Sequence, residues 1–288
     1  MGVNYKIIKG DIFKIEPNVH NHKIAFLVKG NDDKTYFVKP SWVGFHNNLN
    51  EYLAHHIGSL IDAPLLDGCF IKINADSMMK WHKTVESFHE TFLHPTFIPP
   101  YKEAIFFGVE FKRDLNTFNS ILEVKATLNI IHNKDEFYSH YALDQYLKNL
   151  DRHVGNLAIH KEPRKLVFYL FDFDRLFLST WNTGVMKKNF DNFDCFSSES
   201  HNEQLYQLVD RTAIKTAQGY GAKISYITDD DISEIINTIS IIYNISKDEL
   251  DTLSKWIRHR KEKIYDACLK NEICFPNIVQ RGLSSVNR

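Results

Sequence analysis

Over the first hundred residues the apolar and polar positions follow a mostly strand-like pattern. Residues 23–28 and 35–39 are β-prone stretches on either side of Gly30, Asn31, Asp32 and Asp33, a turn sequence, and together predict a hairpin. A side-chain period of two puts Thr35, Phe37 and Lys39 on one face of the second strand. The period then changes: Leu49, Leu53, Ile57 and Leu60 recur at helical spacing after Asn47 and Asn48, two capping candidates, until Ala63-Pro64 stops the run. Residues 68–73 predict a strand. Residues 90–103, with Pro95, Pro99 and Pro100, predict a loop, and 103–111 predict a further strand.

Beyond Asp114 the pattern turns helical. One helix is predicted over 138–150 and an amphipathic one on Ile232, Ile235, Ile236, Ile239 and Ile242. A third rests on Leu250, Leu253, Ile257 and Ile264, with a basic stretch at 258–263 that reads as a solvated helix face. Between the first two helices, residues 157–160 and 166–171 predict short strands joined by Glu162-Pro163-Arg164, and the polar stretch 187–204 predicts a loop. Strands first and helices after give an α+β chain of two lobes, a strand-rich one over 1–112 and a helical one over 113–288.

Composition narrows the classes. The chain has 288 residues, 35 Lys plus Arg against 36 Asp plus Glu, and a net charge of −1, whereas dedicated nucleic-acid binders show a basic excess. The longest apolar runs, 104–109 and 166–171, are far shorter than the ~20 residues that span a bilayer. The first residues lack an apolar secretory core, so neither membrane association nor secretion is expected. Cys69, Cys195, Cys268 and Cys274 form no C-x-x-C pair, and the histidines, among them His82 and His89, lack zinc-ligand spacing. A cytoplasmic, thiol-reduced chain is expected.

Five residues carry a chemistry. Phosphoryl transfer needs a carboxylate beside the attacking hydroxyl and oxygen ligands that hold Mg²⁺ against the ATP phosphates. Asp151 and Asn156 have the spacing of a kinase catalytic-loop Asp and its metal-binding Asn, and Asp172 follows an apolar strand. Upstream, Lys39 ends a strand and Glu51 lies on the next helix, where a phosphate-binding Lys and the Glu that orients it belong. Each residue alone has an ordinary alternative, a snorkelling surface Lys or a solvated Glu. Their order across strand, helix, loop and strand is harder to reach by chance.

Residues 144–156 closely resemble the catalytic loop of HipA-like kinases, an Asn-x-Asp-Arg-His-x-x-Asn run matched by Asn149, Asp151, Arg152, His153 and Asn156. Phe171-Asp172-Phe173-Asp174 resembles the family's metal-binding hairpin, with Asp174 where protein kinases place Gly. Phosphatidylinositol kinases share the Asp-Arg-His-x-x-Asn order. The resemblance implies a two-lobed, protein-kinase-like fold of the compact, single-kinase-domain branch, with ATP and Mg²⁺ as cofactors. It implies that Asp151 takes or orients the acceptor proton and that His153 supports the loop through a hydrogen bond to a carboxylate or carbonyl. Asn156 and Asp172 would hold Mg²⁺, Lys39 would contact the phosphates, and Glu51 would fix Lys39.

With the phosphate-binding turn sought at 29–34, Gly30 is its only glycine and no serine is present there. Candidate modification sites are therefore Ser179, Thr180, Thr183 and the serines of 197–200. An aromatic near Phe106 and Phe107 is a candidate adenine flank, and Met78, Met79 and Trp81 are read as packing between the lobes. The family setting implies a Ser/Thr protein kinase acting as the toxin of a bacterial toxin–antitoxin system. Its expected partners are an antitoxin protein and a protein substrate, for example of the translation machinery, with no direct nucleic-acid contact. A lipid or small-molecule kinase and a nucleotide-binding pseudokinase are the alternatives.

Overall fold

The computed structural model of the chain describes residues 6–18, 23–39, 47–80, 103–173, 175–176, 186–187, 190–193, 205, 208–209, 211–243 and 245–269. Asp174, Ser179, Thr180, Thr183, the serines of 197–200, Trp81, His82, His89, Cys195, Cys274 and the loop expected over 90–102 lie outside them, as does most of the one expected over 187–204. The first half forms a closed five-stranded barrel of β1 (Ile7–Asn18), β2 (Lys23–Gly30), β3 (Thr35–Val38), β4 (Gly68–Ile73) and β5 (Ala104–Glu110), in the order β1-β2-β3-β5-β4. β1 closes the barrel by running parallel to β4, and closure leaves no unpaired sheet edge. The hairpin expected around residues 30–33 is there, with Asp33 in the left-handed region at φ 65°.

The long strand β1 is an addition to the sequence reading. A register shift between Ile12 and Lys14 breaks its alternation and leaves Phe13 58% exposed, so a strict period of two is not visible.

Helix α1 (Asn47–Leu60) carries the expected Leu49, Leu53 and Ile57 face, yet residues 47–58 are buried all round, including Asn48, Asn50, Glu51, His55 and His56. A helix buried on every side must find partners for its polar groups. The second half holds a three-stranded sheet, β6 (Leu115–Thr117), β7 (Leu157–Glu162) and β8 (Lys165–Leu170), in that order. The helix expected over 138–150 is α3 (Lys134–Phe137) plus α4 (Ser139–Leu147), with α2 (Ile121–Thr127) before them. It stops early because Lys148 caps α4 in the left-handed conformation at φ 54°, which turns the chain into the loop below.

Helices α5 (Arg211–Ser225), α6 (Asp229–Ile242) and α7 (Lys247–Leu269) complete the order. Gly221 lets α5 approach α7, since a Cβ there would lie 2.9 Å from Cys268 Sγ. One apolar cluster fills the barrel with Phe26, Val28, Val38, Ile71 and Met78, so Met78 packs there rather than between lobes, while Met79 is exposed. The other joins α1 to the sheet and helices of the second half through Tyr52, Leu53, Phe107, Tyr146, Phe173 and Trp256. Phe106 and Phe107, near which an adenine flank was sought, are themselves buried in these two cores. No helix among the described residues is long and apolar enough to cross a membrane.

The basic stretch of α7 is not a solvated face. Arg260 is fully buried: its Nε donates to the Tyr146 carbonyl at 2.8 Å, its Nη2 donates to that of Gln145, and its Nη1 donates to those of Phe190 and Asn192. It thereby adds donors to last-turn carbonyls of α4, of which that of Gln145 also accepts from the Lys148 N–H. Arg258 and Lys261 pair with Asp229, and His259 and Lys263 with Asp191.

Burial holds three histidines neutral, lowering the pKa of His55 to about 3 and those of His56 and His140 to about 4. Their unfolded counterparts titrate near 6.5, so between pH 4 and 6.5 the unfolded chain binds more protons and stability rises with pH. Each then loses about 1.4 kcal/mol per pH unit as the pH falls below 6.5. Thermal melts at pH 7.5 and pH 5.0 are expected to show a lower Tm at pH 5.0, and equal values would contradict the neutral assignment.

Candidate functional site

The loop after α4 is built on a buried ion pair. Asp144, in the last turn of α4, and Arg152 are both fully buried and meet bidentately, Nε to Oδ2 at 2.9 Å and Nη2 to Oδ1 at 3.1 Å. Asn149 Nδ2 donates to the same carboxylate at 2.8 Å, and its Oδ1 accepts from the Asp151 backbone N–H at 3.1 Å. Arg152 Nη1 reaches the carbonyls of Asn156 at 3.1 Å and Phe171 at 2.6 Å, and the guanidinium lies over the Phe173 ring. The Phe171 N–H also donates to the Asn156 carbonyl at 3.3 Å. One side chain therefore holds the loop of Asp151 and Asn156 against the strand end that carries Asp172.

Within that frame Asn156 Nδ2 donates to the Asp151 carbonyl at 2.8 Å, so both backbone polar groups of Asp151 are fixed. The Asp151 carboxylate, 13% exposed, lies 3.3 Å from Arg175 Nε. His153 supports the loop in a way the sequence did not suggest: its Nδ1 accepts from the Gly155 N–H at 3.1 Å and caps the short 3₁₀ turn Val154–Asn156.

The upstream pair joins this loop. Lys39 Nζ is 3.0 Å from Glu51 Oε1 and 2.5 Å from Asp172 Oδ1. Glu51 Oε1 also accepts from the Phe173 N–H at 3.0 Å, so the helical carboxylate positions the lysine and the strand end together. Asp172 sits at φ 58°, a left-handed conformation that Asp tolerates better than most residues and that marks functional sites when held in place. Asn48 is not a helix cap. Its Nδ2 donates to the carbonyls of Lys39 at 2.9 Å and Phe107 at 2.8 Å, and its Oδ1 accepts from the Phe107 N–H at 2.7 Å and the Tyr243 hydroxyl at 2.9 Å.

The strand register separates Lys39 from the turn at 29–34, where phosphate binding was sought. Thr35 pairs with Lys29 and Val38 with Phe26, which puts Lys39 about 13 Å along the strand from that turn. The β1–β2 connection, 19–22, lies outside the described residues, and its sequence has neither glycine nor serine.

Oxygen donors suit a hard divalent cation. Asn156 spends its amide nitrogen on the loop, which leaves its amide oxygen as a ligand, and Asp172 brings a carboxylate beside a lysine. Among the described residues no group of three or more His, Cys, Asp or Glu is placed to hold a metal. Two protein oxygens completed by phosphate and water are what Mg²⁺ ordinarily takes. The residues present fit a metal–nucleotide complex and not a cage of protein ligands.

The sequence profile of HipA-like kinases matches residues 15–235, more than half of the chain. The chain belongs to the HipA-like kinase family. As a member it is a phosphotransferase by class, and this HipA-like kinase shares a kinase-like α+β fold with solved structures. The crystal structure of a Helicobacter pylori proinflammatory kinase, CtkA, superposes with a TM-score of 0.54 at 16% identity, covering 92% of this chain and 98% of that one. The Golgi casein kinase superposes with a TM-score of 0.53 at 12% identity, covering 94% of this chain and 72% of that one. No curated protein matches the sequence.

The fold of this HipA-like kinase gathers Lys39, Glu51 and Asp172 into one contact group and ties Asp151, His153 and Asn156 to it through Arg152. The sequence reading assigned no task to Asp144 or Arg175 and took Asn48 for a helix cap. Asp144 had a usable signal, a carboxylate eight residues before the loop arginine and one helical turn from its end, whereas Phe107 and Tyr243, two partners of Asn48, are 59 and 195 residues away.

Proposed function

We propose that the chain transfers the γ-phosphoryl group of ATP, with Mg²⁺, to a serine or threonine hydroxyl of a protein, as the toxin of a bacterial toxin–antitoxin pair. The contact of Lys39 with both Glu51 and Asp172 carries the reading: a phosphate-binding cation, its positioning carboxylate and a metal-binding carboxylate stand together. In this reading Lys39 binds phosphate oxygens, Glu51 orients Lys39, and Asn156 and Asp172 hold Mg²⁺, which neutralises charge on the transferring group. Asp151 accepts or orients the acceptor proton, and His153 keeps the loop in shape. The division into a strand-rich lobe over 1–112 and a helical lobe over 113–288, with nucleotide between them, belongs to the same reading. So do a cytoplasmic site of action and an antitoxin partner.

Incubation of the purified protein with γ-labelled ATP and Mg²⁺ in a bacterial lysate tests it. A labelled protein band absent with Asp172→Ala is the expected result, and label in lipid or small molecules would redirect the substrate assignment. Asp172→Ala is further expected to weaken ATP binding in the presence of Mg²⁺ by about 10–100-fold. Calorimetry with and without Mg²⁺ checks this, and unchanged affinity would remove Asp172 from the metal site.

A further inference from the structure

Transfer of a phosphoryl group between two oxygens spreads negative charge over its equatorial oxygens, and a cation on the acceptor side lowers the barrier. Among the described residues the structure brings three cations to this site, and their surroundings differ. Lys39 engages Glu51 and Asp172 on the metal side. Arg152 is fully buried, and its donors point to Asp144 and to the carbonyls of Asn156 and Phe171. The Arg175 side chain is 42% exposed, and it lies with Nε 3.3 Å from Asp151 Oδ2. It stands three positions after Asp172, at most about 11 Å of chain away. Arg175 is thus tied covalently to the metal-binding strand end and by charge to the acceptor-side carboxylate. The transferring group must pass between those two points.

We propose that Arg175 serves the transferring phosphoryl group: it pairs with Asp151 in the resting enzyme and turns to the equatorial oxygens once the acceptor hydroxyl has taken up that carboxylate. The inference rests on the phosphotransfer reading above. In the step, the acceptor oxygen bonds to the γ-phosphorus as its proton passes to Asp151. The bond from phosphorus to the β–γ bridging oxygen breaks, and ADP leaves with the electron pair. The guanidinium gives and takes no proton. Its planar fork of five N–H donors suits phosphoryl oxygens, and its exposure leaves it able to swing.

The test compares the full-length wild type with Arg175→Ala, Arg175→Lys and Asp151→Asn. Calorimetry measures binding of ADP alone and of ADP with aluminium fluoride, a mimic of the transferring group, both with Mg²⁺. Arg175→Ala is expected to keep its ADP affinity and Tm, and to lose about 10²–10³-fold in kcat and a similar factor of the affinity that aluminium fluoride adds. Arg175→Lys should recover part of both. Undiminished aluminium fluoride binding, a kcat equal to or above wild type, or an equal loss of ADP affinity would overturn the assignment. If Asp151→Asn is inactive while Arg175→Ala is fully active, the inference fails and the phosphotransfer reading stands. A wild type that transfers no label and gains nothing from aluminium fluoride overturns that reading, and the inference falls with it.

Discussion

Asp151→Ala is expected to lower phosphoryl transfer by about 10²–10⁴-fold while leaving the affinity for ATP with Mg²⁺ nearly unchanged. The asymmetry follows from the contacts. The group proposed to face the nucleotide, Lys39, Glu51 and Asp172, is held by Asn48, by the Phe173 N–H and by Arg152, none of which needs the Asp151 carboxylate. The Asp151 backbone groups that anchor the loop, its N–H to Asn149 and its carbonyl to Asn156, survive the truncation. In the proposed reading, what is lost is the carboxylate that takes or aligns the acceptor proton. Single-turnover transfer from labelled ATP, paired with calorimetry, separates the two effects. Equal loss of transfer and of nucleotide affinity would move Asp151 from the acceptor side to the metal side.

The second large effect is on folding. Truncating one member of the Asp144–Arg152 pair, as in Arg152→Met, is expected to destabilise the chain by about 3–5 kcal/mol, because the other charge stays buried. Arg152→Lys should not rescue it: one ammonium cannot reach both carboxylate oxygens and the carbonyls of Asn156 and Phe171 together. The double variant Asp144→Leu with Arg152→Met removes both charges and should recover part of the stability. It should not recover activity, since the two carbonyls that align Asn156 with Asp172 still lack their donor. Urea unfolding of the three variants checks this, and a double variant that is both stable and active would show that the pair serves neither purpose.

The residues legible in the sequence were those whose chemistry repeats at a fixed spacing. Asp151 and Asn156 sit five apart on one loop, and Lys39, Glu51 and Asp172 each fall at the edge of an element whose period was clear. What was hidden is non-local. Asn48 looked like a cap because local sequence offers a helix start no other use for an Asn, and only the fold brings Phe107 and Tyr243 to it. Arg260 was masked by its basic neighbours: charge alone does not tell a buried guanidinium under four carbonyls from a solvated one. Helix α5 was overlooked because its buried positions, Ala213, Ala217, Tyr220 and Ile224, include two alanines, and the helix carries two glycines, so the apolar stripe is thin. The strand β1 failed for a related reason, its bulge resetting the alternation midway.

The Asn48 contacts also set an order of events during synthesis. The carbonyl of Lys39 is held by Asn48, and Asn48 in turn by the hydroxyl of Tyr243, 195 residues downstream. At about 5–20 residues per second a ribosome needs roughly 10–40 s to make that stretch. Until then the lysine strand lacks its last anchor, so a nascent chain that has already exposed the whole Asp151 loop does not yet own a finished site.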